Sequence, residues 1–229
     1  TIRAAKAGKH VICEKPLTID EAEAETLRDL AKARGRVLAV MYGYTGYEMV
    51  QQARAMVQKG ELGEVRIVQM QFAHGYHPVD VESKDPGTKW RVTPASSGPT
   101  YVIGDLGTHC FQMGSLMAGL KVDSLSCLRR SFVASRAPLE DDAHVMIRYQ
   151  GNAVGTLWAS AVNIGSAHGI KVRVVGSKGS VEWWDEQPDE PAVSLEEAYA
   201  MSAGIEVGDV ISFDVGGVPI DARVARIRR

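Results

Sequence analysis

The 229-residue sequence is short of residues that cross-link or stack: three cysteines, four phenylalanines and four tryptophans, with aromatic residues at 7%. Cys13, Cys110 and Cys127 are an odd, widely spaced trio, each inside an apolar stretch. That excludes a disulfide framework and reads as reduced, buried thiols of a cytoplasmic protein. No apolar run approaches the ~18–20 residues of a membrane span, and no signal peptide is recognisable. Excess charge is missing as well: 26 Lys+Arg against 28 Asp+Glu leave a net charge of −2. Nothing therefore draws the chain to nucleic acid or an anionic membrane, apart from a local basic patch at Arg226-Ile227-Arg228-Arg229. Neither G-x-G-x-x-G nor G-x-x-x-x-G-K-[ST] occurs, so no glycine-rich phosphate loop is present. What is there has the balance of a soluble globular protein, 45% hydrophobic and 24% charged. At roughly 100–200 residues per domain its length suits about one and a half domains.

Thr1 to Lys6 reads as the end of a helix with Gly8 at its C-cap, and the expectation is that further chain precedes Thr1. His10-Val11-Ile12-Cys13 reads as a strand buried on both faces of a parallel sheet, stopping at Glu14-Lys15-Pro16. Asp20 to Arg34 is an amphipathic helix closed by Gly35, and Val37 to Met41 is a second buried strand, which makes a βαβ unit. A helix from Tyr47 to Gly60 follows. The texture then changes to period-two alternation at Val65–Phe72, Ser124–Val133, Ala143–Tyr149, Ala153–Ala161, Lys171–Val175 and Ser180–Trp184. Turns at Tyr149-Gln150-Gly151-Asn152 and Gly176-Ser177-Lys178-Gly179 make hairpins, so the second part is a mainly antiparallel sheet. Between its strands lie a long irregular stretch, His74 to Ile103, of a length that usually serves function, and a helix from Asp105 to Leu120. After an acidic, proline-containing linker from Asp185 to Pro191 come a short helix at Leu195–Ser202 and two strands near Val210–Val215 and Ile220–Ile227, joined at Gly216-Gly217.

Two constellations can carry chemistry. Lys15 stands at the carboxyl end of a parallel strand, where open α/β sheets bind ligands, with Pro16 keeping it out of the helical region. The plain alternative is a solvated surface lysine. Asp105 and His109 are four residues apart in Gly104-Asp105-Leu106-Gly107-Thr108-His109, so both can point into one pocket and handle a proton near neutral pH. Equally, Asp105 can cap the helix and His109 can be packed and hydrogen-bonded. His74 and His77 lack further metal ligands at a familiar spacing, which favours a surface loop. Trp90-Arg91 can stack on and anchor a polar ligand, or pack against the sheet.

Ala7-Gly8-Lys9-His10-Val11-Ile12-Cys13-Glu14-Lys15-Pro16-Leu17 resembles the signature strand of the Gfo/Idh/MocA family of NAD(P)-dependent oxidoreductases. Gly60-Glu61-Leu62-Gly63-Glu64-Val65, Lys89-Trp90-Arg91 and Gly104-Asp105-Leu106-Gly107-Thr108-His109 follow in that family's order, and the likeness spans about residues 1–184. It implies an α/β (α+β) protein: a remnant of a Rossmann parallel sheet at residues 1–42, then a predominantly antiparallel open-sheet domain with helices on one face at 43–187. It further implies hydride transfer between NAD or NADP and a hydroxyl carbon of a sugar or cyclitol. Lys15 would hold the substrate hydroxyl and approach the nicotinamide. Asp105 and His109 would face the substrate, with His109 as proton acceptor. Glu14 and Pro16 would line the cofactor side, and Trp90 and Arg91 the meeting place of substrate and cofactor.

The glycine loop that receives the pyrophosphate at a helix N-terminus is missing, so this chain alone is expected to bind NAD weakly or not at all. Residues 188–229 leave the family pattern. From about Val193 they resemble, less specifically, the extracytoplasmic module of ABC transporter permeases, which implies a composite chain joined near Pro188 to Val193. Two rival functions stand beside the oxidoreductase: a non-catalytic module that forms a homo-oligomer through the open sheet, and a soluble transporter module read from the tail.

Overall fold

A computed structural model describes residues 1–185, 192–196, 201, 204–215 and 218–228, which fall into two compact units, Thr1–Trp183 and Trp184–Arg229. The first unit opens with α1 (Ile2–Lys6), β1 (Val11–Glu14), α2 (Glu21–Ala33) and β2 (Leu38–Met41). β1 and β2 pair in parallel from Val11↔Leu38 to Glu14↔Met41, the expected βαβ arrangement. α2 begins where Asp20 accepts the Glu23 amide hydrogen at 2.8 Å. Glu21 and Glu23 occupy its first turn and Lys32 its last, each near the helix end that favours its charge. Ala5, Val11 and Leu27 form the small core of this region.

The expectation that β1 is buried on both faces fails. Ile12 is 72% exposed, and Val37 and Met41 are exposed too. Helices α1 and α2 pack with one face of the two-stranded sheet, and successive side chains alternate away from that face.

The larger region contains α3 (Glu48–Gln58), β3 (Val65–Ala73), α4 (Pro94–Ser97), a π-helical turn (Ile103–Gly107) and α5 (Thr108–Ala118). It continues with β4 (Val122–Arg130), β5 (Asp142–Tyr149), β6 (Val154–Ser160), β7 (Ile170–Gly176) and β8 (Ser180–Trp184). These strands form one sheet in the order β4-β5-β6-β3-β7-β8. β4 with β5, β5 with β6 and β3 with β7 are antiparallel, whereas β3 and β6 run parallel. Period-two alternation turns Val68, Met70 and Phe72 of β3 and Ile170, Val172 and Val174 of β7 inward, where they share a core with Val50 of α3 and Cys110, Met113 and Met117 of α5. Helix α5 approaches so closely that a Cβ at Gly114 would overlap Met70. Gly119, at φ 67°, ends the helix in the left-handed region. On the opposite, open face Ile67, Met146 and Val154 are exposed.

β4 is one of the two edge strands, and Leu125, Cys127 and Leu128 on it are exposed. The cysteine expectation is corrected accordingly. All three are free thiols, but only Cys110 is buried, Cys13 being half-buried and Cys127 exposed.

The second unit contains β9 (Ala192–Glu196), β10 (Val210–Val215) and β11 (Val218–Arg228), in the order β10-β11-β9. β10 and β11 are antiparallel, and β11 and β9 are parallel. Leu195 and Glu196 therefore lie in a strand where the start of a helix was expected, because pairing with β11 overrides their local helix preference. The Gly216-Gly217 turn and the linker from Glu186 to Pro191 lie outside the described residues.

Candidate active site

The direction of β1 carries Lys15 from the small sheet to the π-helical turn of the large region. Lys15 Nζ donates to Asp105 Oδ1 at 2.8 Å and to the Asp105 carbonyl oxygen at 2.5 Å, and its side chain is only 14% exposed. Arg91 Nε donates to Asp105 Oδ2 at 3.1 Å, and its guanidinium lies 4.6 Å from the centre of the Trp90 ring. Burial alone would raise the Asp105 carboxyl. The hydrogen bonds and charges of Lys15 and Arg91 outweigh it and hold the group below the usual carboxylate range.

Lys15, Arg91, Asp105 and His109 line one cavity of about 290 Å³ together with Tyr44, Phe72, His74, Tyr76, His77, Tyr101, Leu106 and His168. His109 stands among rings, edge-on to Tyr44 with centroids 4.8 Å apart and 6.0 Å from those of Phe72 and Tyr42. Burial first, then the charge of Lys15, lower its imidazole to about 4, so it is neutral at pH 7. Its Nδ1 is buried and has no hydrogen-bond partner among the described residues. Asp105 and His109 thus share a cavity as their spacing suggested, but not a hydrogen bond: the Asp105 oxygens are engaged by Lys15 and Arg91.

Glu14 and Pro16 are exposed at the end of β1, and Trp90 is 49% exposed; none of the three is among the cavity-lining residues. Among the lining residues, Tyr44, Tyr101 and His168 were not foreseen, and His74 and His77 were read only as a weak metal pair. Their rings are 5.8 Å apart, and no group of three or more possible metal ligands is formed among the described residues. Tyr44 Oη and His168 Nε2 are 3.0 Å apart, and His77 Nδ1 and Tyr101 Oη 2.6 Å. Burial lowers His74 to about 4 and lowers His77 as well. The one signal available beforehand was the irregular stretch His74–Ile103, which supplies His74, Tyr76, His77, Arg91 and Tyr101. A larger cavity, about 500 Å³, lies on the open sheet face away from Lys15, and there Lys171 and Glu182 form an ion pair at 3.1 Å.

A parallel strand end that delivers a lysine to a carboxylate of an open-sheet domain defines a two-part α/β protein with its site where the parts meet. The chain belongs to the GFO/IDH/MocA oxidoreductase family: the profile of that family's NAD-binding Rossmann fold matches residues 1–42, and that of its C-terminal domain matches residues 50–182. It is 48% identical over 189 residues to the uncharacterized oxidoreductase YfiI of Bacillus subtilis, a match covering 82% of this chain and 48% of that protein. A crystal structure of an inositol dehydrogenase homolog complexed with NAD+, from Azotobacter vinelandii, superimposes with a TM-score of 0.79 at 46% identity, covering 96% of this chain and 52% of that one. Levoglucosan dehydrogenase of Pseudarthrobacter phenanthrenivorans is 24% identical over 248 residues, covering 96% of this chain and 62% of that protein. The chain spans about half the length of the first two of these relatives.

Coverage of 96% leaves too few residues outside to omit the segment after Val193, so the family likeness runs into the tail. None of these matches supports the expected permease module and composite chain. Short strands around glycine turns are a pattern many folds share, and the tail offered no more specific signal than that.

Proposed function

We propose that this protein serves NAD(P)-dependent oxidation of a sugar or cyclitol, with a hydride passing between a hydroxyl carbon and the nicotinamide. One observation carries the reading: a largely buried lysine at the end of the Rossmann-type strand is ion-paired with Asp105 in the same cavity as a neutral His109 whose Nδ1 has no hydrogen-bond partner among the described residues. Support also comes from a relative crystallised with NADH and myo-inositol, 46% identical to this chain.

The donor set suits the nicotinamide end of a dinucleotide. Lys15 is a sheltered cation, and Arg91 lying on the Trp90 ring makes a flat polar platform. Glu14 and Pro16 stand at the strand end on the proposed coenzyme side. No residue of this chain supplies the glycine turn for the pyrophosphate. When bound, the coenzyme supplies hydride-accepting chemistry. Lys15 holds the substrate hydroxyl oxygen and stabilises the negative charge that develops as its proton leaves. Asp105, held by Arg91, keeps Lys15 aimed into the cavity. His109, neutral and lining the same cavity, takes the hydroxyl proton, and Tyr44 and Phe72 keep it dry and neutral.

The test is NADH or NADPH formation with myo-inositol, levoglucosan and a polyol panel by the full-length protein that joins this chain to the glycine turn, as wild type, Lys15→Ala and His109→Asn. Each variant is expected to lose about 10²–10⁴-fold in turnover. Wild-type turnover by Lys15→Ala on every active polyol overturns the assignment.

The open sheet face favours a second reading beside the first. Exposed Ile67, Leu128, Met146 and Val154 suit pairing with another copy of the chain. Sedimentation of the wild type and Met146→Glu tests it: a dimer that the substitution dissociates supports it, and an unchanged monomer overturns it. Three free cysteines fit a reducing compartment, the cytoplasm.

A further inference from the structure

The stretch from Arg136 to Asp141 concentrates buried charge. Arg136, Glu140 and Asp141 are 1%, 2% and 0% exposed, and Glu82 across from them is 6% exposed. Buried ion pairs are weak contributors to stability, because losing water costs each ion much of what the pairing returns. Their presence calls for another explanation, and their partners supply it.

Arg136 donates from Nε and Nη2 to Glu82 at 3.1 and 3.2 Å and from Nη1 to Asp141 at 3.2 Å. It also donates to the carbonyl oxygens of His77 at 2.9 Å and Val79 at 2.8 Å. Four residues on, one carboxylate oxygen of Glu140 accepts the amide hydrogens of both Tyr101 and Ile103 at 3.0 Å, and its backbone carbonyl accepts that of Val102 at 3.3 Å. The two gripped segments are different walls of the cavity. One carries His77, and the other runs into the π-helical turn that presents Asp105. They meet where His77 Nδ1 and Tyr101 Oη lie 2.6 Å apart.

We propose that Arg136 and Glu140 are positioning residues that form a buried clamp, setting the His77 wall against the Asp105 wall without touching substrate. The amide hydrogens at the start of a helical turn have no partner within it, so an outside acceptor fixes the turn's rotation. A rotated turn carries Asp105, and with it Lys15, off position. The inference rests on the cavity being the substrate site.

Glu140→Gln keeps an acceptor oxygen for the two amides, and Glu140→Ala removes it. Both are made in the full-length protein that joins this chain to the glycine turn and checked for folding by circular dichroism. The first readout needs no activity: the amide signals of Tyr101, Ile103 and Asp105 and the imidazole nitrogens of His77 in nitrogen-15 spectra. Glu140→Ala is expected to shift them and Glu140→Gln to restore them. The second readout is turnover of myo-inositol with NAD+, in which Glu140→Ala loses about 100-fold in kcat/KM and Glu140→Gln recovers most of it. Unmoved signals in Glu140→Ala overturn the clamp whatever the activity. Moved signals with unchanged turnover overturn its bearing on the site, and a glutamine variant as impaired as the alanine one shows that charge, not geometry, matters. A wild type that turns over no polyol removes the proposed function but leaves the first readout to decide the clamp. Should Glu140→Ala not fold, Arg136→Lys, which cannot span Glu82 and two carbonyls at once, gives the same readouts.

Discussion

The two sheets of the first unit bury very different amounts of apolar surface for the same joint site. The βαβ region closes on Ala5, Val11 and Leu27, with Ile12, Val37 and Met41 left exposed. The six-stranded region buries side chains from β3, β5, β6, β7, α3 and α5 in one continuous core. One cation of the site, Lys15, belongs to the thinner region, whereas Arg91, Asp105 and the histidines belong to the thicker one. The Lys15–Asp105 pair is thus the electrostatic centre of the site and also a tie between unequal partners.

Cutting that tie should have the largest effect. Asp105→Asn keeps the shape but leaves Lys15 and Arg91 facing each other without the anion between them. We expect kcat/KM to fall on the order of 10³-fold and amide exchange in β1 and α2 to quicken while β3 and β7 stay protected. Unchanged exchange in β1 would show that the regions are joined by something else. Next comes Leu27→Ala, which should cost about 2–5 kcal/mol and loosen residues 1–42 alone. Met113→Ala, in the large core, should cost a similar amount and lower the melting of the whole unit. If both variants melt the unit together, the two regions are one cooperative body.

Acidification acts on the larger region. His74 and His109 have folded-state values near 4 against an ordinary 6.5, both lowered first by burial. Their neutral forms contribute stability fully above pH 6.5, and it is lost as pH falls through 4, because the unfolded chain takes up the protons first. The melting temperature should drop by several degrees between pH 7 and 4.5, and His74→Asn should flatten that slope. A slope the variant does not change assigns the loss to other groups.

Local rules made much of the frame readable. Asp20 and Gly35 bracket α2, period two locates β3 and β7, and the strand end points Lys15 toward a site. The π-helical turn at Asp105 was not readable, since its spacing looks like ordinary helix, and neither was the absence of a bond between Asp105 and His109. Tyr44 meets His168 across 124 positions and Tyr101 meets Glu140 across 39, separations that no periodicity reports. Alternation also says which residues share a face but not whether anything covers it. For that reason buried expectations at Ile12 and Cys127 became exposed residues.

The smallest expected effect lies on that uncovered face. Ile12 sits on β1 pointing away from α1 and α2, so replacing it by threonine keeps the β-branched shape and removes little buried surface. The change in stability should stay within about 0.5 kcal/mol, against about 1–3 kcal/mol for Val68→Thr, which places a hydroxyl in the dry core beneath α5. Denaturant melts of the two variants at matched concentration measure the contrast directly. A costly Ile12→Thr would mean that the face is covered in solution, by further chain or by a second copy, and dilution separates these two. Loss that fades on dilution belongs to a partner, and loss that persists belongs to the chain.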